Sequence, residues 1–171
     1  MTVVVSYTEN SVVLREPGPA GPQGIPGSSI RYQGQIARST IGTVSGIVQS
    51  SYTLVAISGT FDSSITSGVV IGSGFALRNN TGQTLVFAAN VATEASAGNQ
   101  EHLGLMLTKN GTVVSGSEVR GHTGNSSSAV PLTIPSYFIS LNNGDEVGLA
   151  VANFSANANV SLERTRLTLS V

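Results

Sequence analysis

Residues 137–149 of the chain have the sequence YFISLNNGDEVGL. Tyr137 to Leu141 predicts a β-strand, because aromatic and β-branched residues favour an extended backbone. Asn142-Asn143-Gly144-Asp145 predicts a tight turn, in which the aspartate bonds to nearby backbone. Glu146 to Asn153 predicts the returning strand. This strand–turn–strand unit indicates a β fold.

The same pattern extends through residues 50–171, where no segment has a convincing helical period. Leu103, Leu105 and Leu107 alternate with other residues, as in a strand with two different faces. We therefore predict a single all-β domain over residues 50–171. Its other strands are predicted at Tyr52 to Phe61, Ile65 to Arg78, Gln83 to Thr93, Thr112 to Ser115, Val130 to Ile134 and Val160 to Val171.

The last predicted strand changes phase along its length. Val160 and Leu162 are apolar at even positions, whereas Leu167 and Leu169 are apolar at odd positions. Side chains alternate in a regular strand, so the two sets would face opposite ways. We predict a β-bulge between Glu163 and Arg166, which restores a single core-facing row. The alternative is a strand that is buried on both faces.

Two predicted strands indicate contact between subunits. Thr84 to Ala89 is apolar on both faces, whereas a sandwich strand normally buries only one. Small residues on one face of the strand Glu146 to Asn153 would permit close approach of another subunit. The alternative is an ordinary strand under a loop. We predict that the interface residues are Leu85, Phe87, Gly148, Ala150 and Ala152.

Residues 18–27 have the sequence GPAGPQGIPG. Glycine occupies every third position, at Gly18, Gly21, Gly24 and Gly27, and proline fills three of the six places between. Only glycine fits at the axis of a collagen triple helix, and proline favours its backbone dihedrals. The stretch therefore predicts a short trimeric stalk. A stiff single-chain linker is the alternative.

The segments on either side of the stalk are predicted to hold the trimer and its anchor. Residues 1–17 predict a strand pair, Thr2 to Tyr7 and Val12 to Leu14, which is marginal alone and must pack on a partner. Residues 28–49 have no clean period and predict a neck of irregular or short β pieces, wrapped among three chains. The anchor residues are predicted to be Val3, Val4, Val5, Tyr7, Val12, Val13 and Leu14.

Composition narrows the classes of partner. Only 10% of residues are charged and the formal net charge is −1, which predicts neither a nucleic-acid nor a membrane partner. The chain has no cysteine, so disulfides and zinc–thiolate sites are excluded. The first residues lack the features of a signal peptide, so we expect synthesis in the cytoplasm.

Candidate catalytic groups do not form a recognisable site. His102 and His122 match no metal-binding spacing, and no nucleophile elbow occurs. The acidic residues lie on separate predicted turns and strands, and a Ca²⁺ site needs about six oxygen ligands. We therefore predict a non-enzymatic protein without catalytic residues, metal or cofactor. The acidic residues considered are Asp62, Glu94, Glu101, Asp145 and Glu146.

Residues 50–171 resemble the C1q/TNF-type jelly-roll domains, most clearly at Tyr137 to Leu149. Domains of that family form compact trimers, and a collagen stretch directly before the domain is their usual layout. The resemblance implies an all-β, homotrimeric jelly-roll knob, preceded by a short collagen-like triple helix and an N-terminal β anchor.

The whole chain resembles the capsid decoration proteins of tailed bacteriophages, which are also called cement or head-fibre proteins. In them, a short β segment with a pattern similar to Val13-Leu14-Arg15-Glu16-Pro17-Gly18 precedes collagen triplets and a C1q-like knob. The resemblance implies a virion structural protein on the outer capsid surface, bound to the major capsid protein of the phage shell.

Three other functions fit parts of the sequence. The receptor- or glycan-binding tip of a tail fibre is disfavoured by the low aromatic content of 5%. A bacterial spore-surface or secreted collagen-like protein is disfavoured, in its secreted form, by the missing signal peptide. A glycan-cleaving enzyme is disfavoured by the missing catalytic site.

Overall fold

The computed structural model describes residues 4–7, 10–13, 31–39, 42–57, 60–65, 68–125 and 128–171. The chain divides into two units, residues 1–30 and residues 31–171. The predicted stalk, Gly18 to Gly27, lies outside the described residues, as do Val3 and Leu14 of the predicted anchor.

The first unit contains a pair of antiparallel strands, β1 (Val4–Tyr7) and β2 (Asn10–Val13). Val4 pairs with Val13 and Tyr7 pairs with Asn10. The predicted strand pair is therefore present. Its second strand begins at Asn10, before the predicted start at Val12.

The second unit is a sandwich of two antiparallel sheets. The seven-stranded sheet has the order β11-β10-β14-β8-β7, with β12 on β10 and β5 on β14. Its strands are β5 (Thr53–Leu54), β7 (Val69–Ile71), β8 (Leu77–Asn79), β10 (His102–Lys109), β11 (Thr112–Val113), β12 (Val119–His122) and β14 (Glu146–Asn153).

The six-stranded sheet has the order β13-β9-β15-β3-β6, with β4 on β15. Its strands are β3 (Gln33–Arg38), β4 (Gly42–Val44), β6 (Asp62–Ile65), β9 (Leu85–Ser96), β13 (Val130–Leu141) and β15 (Val160–Ser170). From β8 onward the chain crosses repeatedly between the sheets, which is jelly-roll connectivity. The predicted all-β jelly-roll sandwich is confirmed.

The core lies between the two sheets and is filled by alternate residues of each strand. Leu103, Leu105 and Leu107 on β10 are fully buried and belong to the same cluster as Val91 and Leu167 of the other sheet. Full burial of a side chain of this size contributes about 1.5–3 kcal/mol to stability. On β10 the period of two in the sequence thus matches the face that turns inward.

Part of the predicted neck belongs to the sandwich. Strand β3 pairs with β15, with Ile36 opposite Leu167, and β4 pairs with the start of β15. Strand β3 shows no clear period of two in the sequence, because one of its buried positions is Gly34, which carries no apolar side chain. A methyl group there would clash with Cγ1 of Val69. The predicted neck, residues 28–49, therefore does contain short β pieces, but β3 and β4 belong to the sandwich of one chain.

The predicted bulge in the last strand is confirmed. Glu163 pairs with Glu94 and Arg166 pairs with Ala92, so two residues of β15 lie opposite the single residue Thr93. Arg164 has a positive φ of 47°. The extra residue brings the apolar residues on both sides of the bulge into one buried row: Val160, Leu162, Leu167 and Leu169.

Asp145 stabilises the turn between β13 and β14, as its place after Gly144 predicted. Its Oδ2 accepts a hydrogen bond of 2.8 Å from the backbone N of Asn142. Its Oδ1 accepts one of 2.7 Å from Asn110, and Lys109 Nζ lies 2.9 Å from Oδ2. The hydrogen bonds from Asn110 and Lys109 lower the pKa of this carboxyl.

Candidate functional site: the outer face of the six-stranded sheet

Two large apolar side chains stand on the outer face of the six-stranded sheet. Phe138 on β13 is 71% exposed and Val86 on β9 is 57% exposed. Phe138 lies opposite Ala88 and Val86 lies opposite Ser140, so the three apolar residues are neighbours across two paired strands. We call Val86, Ala88 and Phe138 the apolar patch. Contiguous exposed apolar residues of this kind mark interaction surfaces.

Phe138 faces outward because β13 also carries a bulge. Its pairing with β9 shifts between Ile134 and Tyr137, so its inward residues have even numbers before the shift and odd numbers after it. Ser136 has a φ of 30°. Asn90 Oδ1 accepts hydrogen bonds from the Ser136 backbone N and hydroxyl, at 2.8 and 3.0 Å. Without the extra residue, Phe138 would point into the core.

The two interface residues predicted on β9 face inward. Phe87 is fully buried in the core, and Leu85 is half-buried and packs against it. Strand alternation then places Val86 and Ala88 on the outer face. The apolar outer face predicted for this strand exists, but Val86 and Ala88 form it rather than Leu85 and Phe87.

The small residues predicted on β14 are covered by their own chain. Ala150 and Ala152 are fully buried within one chain. A methyl group at Gly148 would lie 3.1 Å from Oγ1 of Thr108 and 3.5 Å from the side chain of Ala76. Their small size is therefore explained by neighbours in the same chain, and a second subunit is not needed to cover them.

An aromatic and charged cluster covers part of the seven-stranded sheet. The ring of Phe154 meets the ring of Tyr52 edge-on, at 6.0 Å between centroids, and the guanidinium of Arg120 lies 4.1 Å from its centroid. A methyl group at Gly104 would lie 2.6 Å from Oη of Tyr52. The cluster therefore packs directly on the sheet.

Glu118 joins the two polar ends of this cluster. Its Oε1 accepts hydrogen bonds from Tyr52 Oη at 2.6 Å and from Arg120 Nε at 2.8 Å. Burial, followed by the hydrogen bond to Glu118, raises the pKa of the Tyr52 phenol. The bonds from Tyr52 and then Arg120 lower the pKa of the Glu118 carboxyl. The phenol is therefore held as a neutral donor to an ionised acceptor.

A cavity of about 390 Å³ opens on the seven-stranded sheet. Thr108 lines it and is only 3% exposed. Glu146, which also lines the cavity, accepts a hydrogen bond of 2.8 Å from Arg78 Nε. The charge of Glu146 is thus balanced by Arg78, and the other lining residues are uncharged.

The two histidines lie side by side, although the sequence placed them on unrelated segments. His102 pairs with His122 across β10 and β12, with ring centroids 4.5 Å apart. Sequence reasoning missed the pair because β12 lay in no predicted strand. Among the described residues, no group of three or more histidine, aspartate or glutamate side chains is placed to hold a metal ion.

The described part of the chain contains no helix that is long and apolar enough to cross a membrane.

Comparison with known proteins reveals similarity of fold. No protein-family model matches the chain, and no curated protein matches its sequence. The PRD1 vertex protein P5 matches with a TM-score of 0.50 and 13% identity, over 81% of this chain and 94% of that chain. Its similarity supports the jelly-roll sandwich.

Two other solved structures are similar over comparable lengths. Eiger TNF of S. frugiperda has a TM-score of 0.47 and 12% identity, over 82% of this chain and 91% of that chain. The globular domain of zebrafish complement 1qA protein has a TM-score of 0.37 and 17% identity, over 81% and 94%.

Proposed function

We propose that the protein is a non-enzymatic structural component of a virion. It forms a homotrimer that decorates the outer surface of a phage head and stabilises the shell, as a cement or head-fibre protein. The apolar patch on the six-stranded sheet is the observation that carries this proposal, because it gives a single chain a surface fit for another copy.

The proposed trimer buries the apolar patch. Phe138 and Val86 are exposed in one chain, and complete burial of such side chains contributes about 1.5–3 kcal/mol each. Three copies around an axis bury three such patches, and the same surface of every chain takes part. Closely packed Phe138 side chains at the centre would then act as the main energetic contacts of the interface.

The N-terminal unit is the proposed anchor. An isolated hairpin such as β1–β2 is marginally stable, so it gains most by adding to a sheet edge of the major capsid protein. Residues 1–17 take this role, and residues 18–27 form a collagen-like stalk between the anchor and the knob. Three linked anchors strengthen binding through avidity, and a partner that binds only the assembled shell stabilises it.

The fold neighbour with the highest TM-score of those described above is named as a vertex protein, the PRD1 vertex protein P5. That name refers to a position in a larger assembly. It supports the assignment of this chain to a virion, and the outer capsid surface is the location that the proposed anchor and stalk require.

A second candidate is the receptor- or glycan-binding tip of a phage tail fibre. The cavity lined by Thr108 favours it, because a cavity with mostly apolar walls and a few polar lining residues suits a small ligand. The cavity lies on the seven-stranded sheet, so it would stay open in the proposed trimer.

Copy number separates the two candidates. We expect quantitative mass spectrometry of purified phage particles to find hundreds of copies of this protein per particle, comparable with the major capsid protein. The signal of a known tail protein in the same sample provides the internal control. A copy number equal to that of the tail-fibre proteins would reject capsid decoration and favour the tail-fibre tip.

A further inference from the structure

Arg166 lies on the outer face of the six-stranded sheet, in a trough that we define by Arg166 and its two neighbours Ala37 and Ala92. Its neighbours across the two adjacent strands are both alanines, Ala92 on β9 and Ala37 on β3. The next residues along the same row are Thr133 and Asp62. Strands lie about 4.8 Å apart, so the long Arg166 side chain rises between two small neighbours and has no acidic residue directly opposite.

Cavities lie on both sides of Arg166, and it lines each of them. The cavity towards β13 has a volume of about 340 Å³ and the cavity towards β6 about 320 Å³. Ala92 forms part of the first and Ala37 forms part of the second. The alanines thus leave space beside the guanidinium that a small ligand can occupy.

Two further arginines line the cavity towards β6. They are Arg38, and Arg164 in the bulge of β15. Arg164 Nη1 lies 3.0 Å from Glu94 Oε1, but its side chain is 75% exposed, which leaves other N–H groups available. Asp62 also lines this cavity. Since Glu94 pairs with Arg164, the residues in and beside this cavity include three arginines and two acidic residues.

Arg166 differs from the arginines that form ion pairs. Among the described residues no acidic side chain lies within ion-pair distance of it, whereas Arg78, Arg120 and Arg164 each have an acidic partner. The excess positive charge of the trough is thus centred on a side chain that has open space on both sides. Guanidinium groups bind oxyanions through paired N–H donors in a fixed fork.

We propose that the trough binds an oxyanion, a carboxylate or phosphate group, through Arg166 with Arg164. The bulge in β15 creates the site, because its extra residue places Arg164 beside Arg166. In one respect the inference rests on the proposed trimer. If this sheet face is buried between subunits, an unpaired Arg166 would be strongly destabilising, and a bound oxyanion removes that cost. The oxyanion is then a free ion or a carboxylate side chain of a second copy.

Calorimetric titration of the full chain with inorganic phosphate tests the site. We expect phosphate to bind the wild-type protein, and Arg166→Gln to weaken binding by at least about tenfold, since one charge-assisted contact is lost. Arg31→Gln is the matched control, because Arg31 is exposed but lines neither cavity. Circular dichroism of each variant checks that it is folded.

Light scattering on the same samples identifies the source of the oxyanion. If wild-type protein binds no phosphate, but Arg166→Gln weakens the trimer and Arg31→Gln does not, a carboxylate of a second copy fills the trough. The proposal is overturned if wild-type protein binds no phosphate and Arg166→Gln leaves the assembly unchanged. A monomeric wild-type protein that binds phosphate through Arg166 would retain this site and reject the trimer.

Discussion

Replacing Phe138 by aspartate is expected to convert the trimer into folded monomers. Phe138 is 71% exposed in one chain, so its loss leaves no cavity in the core. In the proposed trimer the substitution removes about 1.5–3 kcal/mol of apolar burial from each subunit and places three like charges close together. An unpaired charge at a buried interface is strongly unfavourable, so the trimer should dissociate at micromolar concentrations.

Light scattering after size-exclusion chromatography measures this effect directly. Val113→Asp is the matched control, because Val113 is 41% exposed but lies on β11 of the other sheet. It should remain trimeric, and both variants should unfold within a few degrees of wild type. A trimeric Phe138→Asp variant would show that the apolar patch is not the interface.

Deleting residues 1–16 is expected to abolish binding to the capsid while the knob stays folded. The core cluster of the sandwich draws only on described residues from Tyr32 onward, and the chain divides between residues 30 and 31. The deletion removes the β1–β2 pair, which is the proposed site of strand addition to the shell. Loss of all three anchors also removes their avidity.

Sedimentation with purified bare shells provides the measurement. The full chain should sediment with the shells and saturate, whereas the truncated chain should stay in solution. Thermal unfolding of the truncated chain checks the fold of the knob, and full-length Val113→Asp, which leaves residues 1–16 and the apolar patch intact, should bind as wild type does. Equal decoration by the truncated chain would place the anchor elsewhere in the protein.

The bulge in β15 could be predicted because the apolar residues change from even to odd positions along the strand. In a regular strand, Leu162 and Leu167 would lie on opposite faces. Positions 164 and 166 are arginines, so no further apolar residue obscures this change of phase. The bulge in β13 contains the same change, between Ile134 and Ile139. Phe138 obscures it, because an apolar residue on the outer face makes both phases look buried.

The two faces of β9 could not be told apart from sequence. Leu85, Val86, Phe87 and Ala88 are continuously apolar, and alternation alone does not say which pair turns inward. That choice depends on the register with β13 and β15, which joins residues distant in sequence. The apolar outer face was thus predictable, but the residues that form it were not.

The segments that pack on the outer face of the seven-stranded sheet could not be predicted from local sequence patterns either. Gly148 lies close to Thr108, Ala76 and Phe75, which come from distant segments. Gly104, which pairs with Ala152, lies under Tyr52 and Phe154. Few of these contacts follow from spacing within one strand. An exposed stripe of small residues and a covered one therefore have the same sequence pattern.

Cryo-electron microscopy of the purified phage particle tests the central claim most directly. The account predicts knobs of three copies on the outer surface of the head, with the six-stranded sheets facing the three-fold axis and Phe138 near it. Single copies, knobs whose six-stranded sheets face solvent, or a location confined to the tail would contradict it.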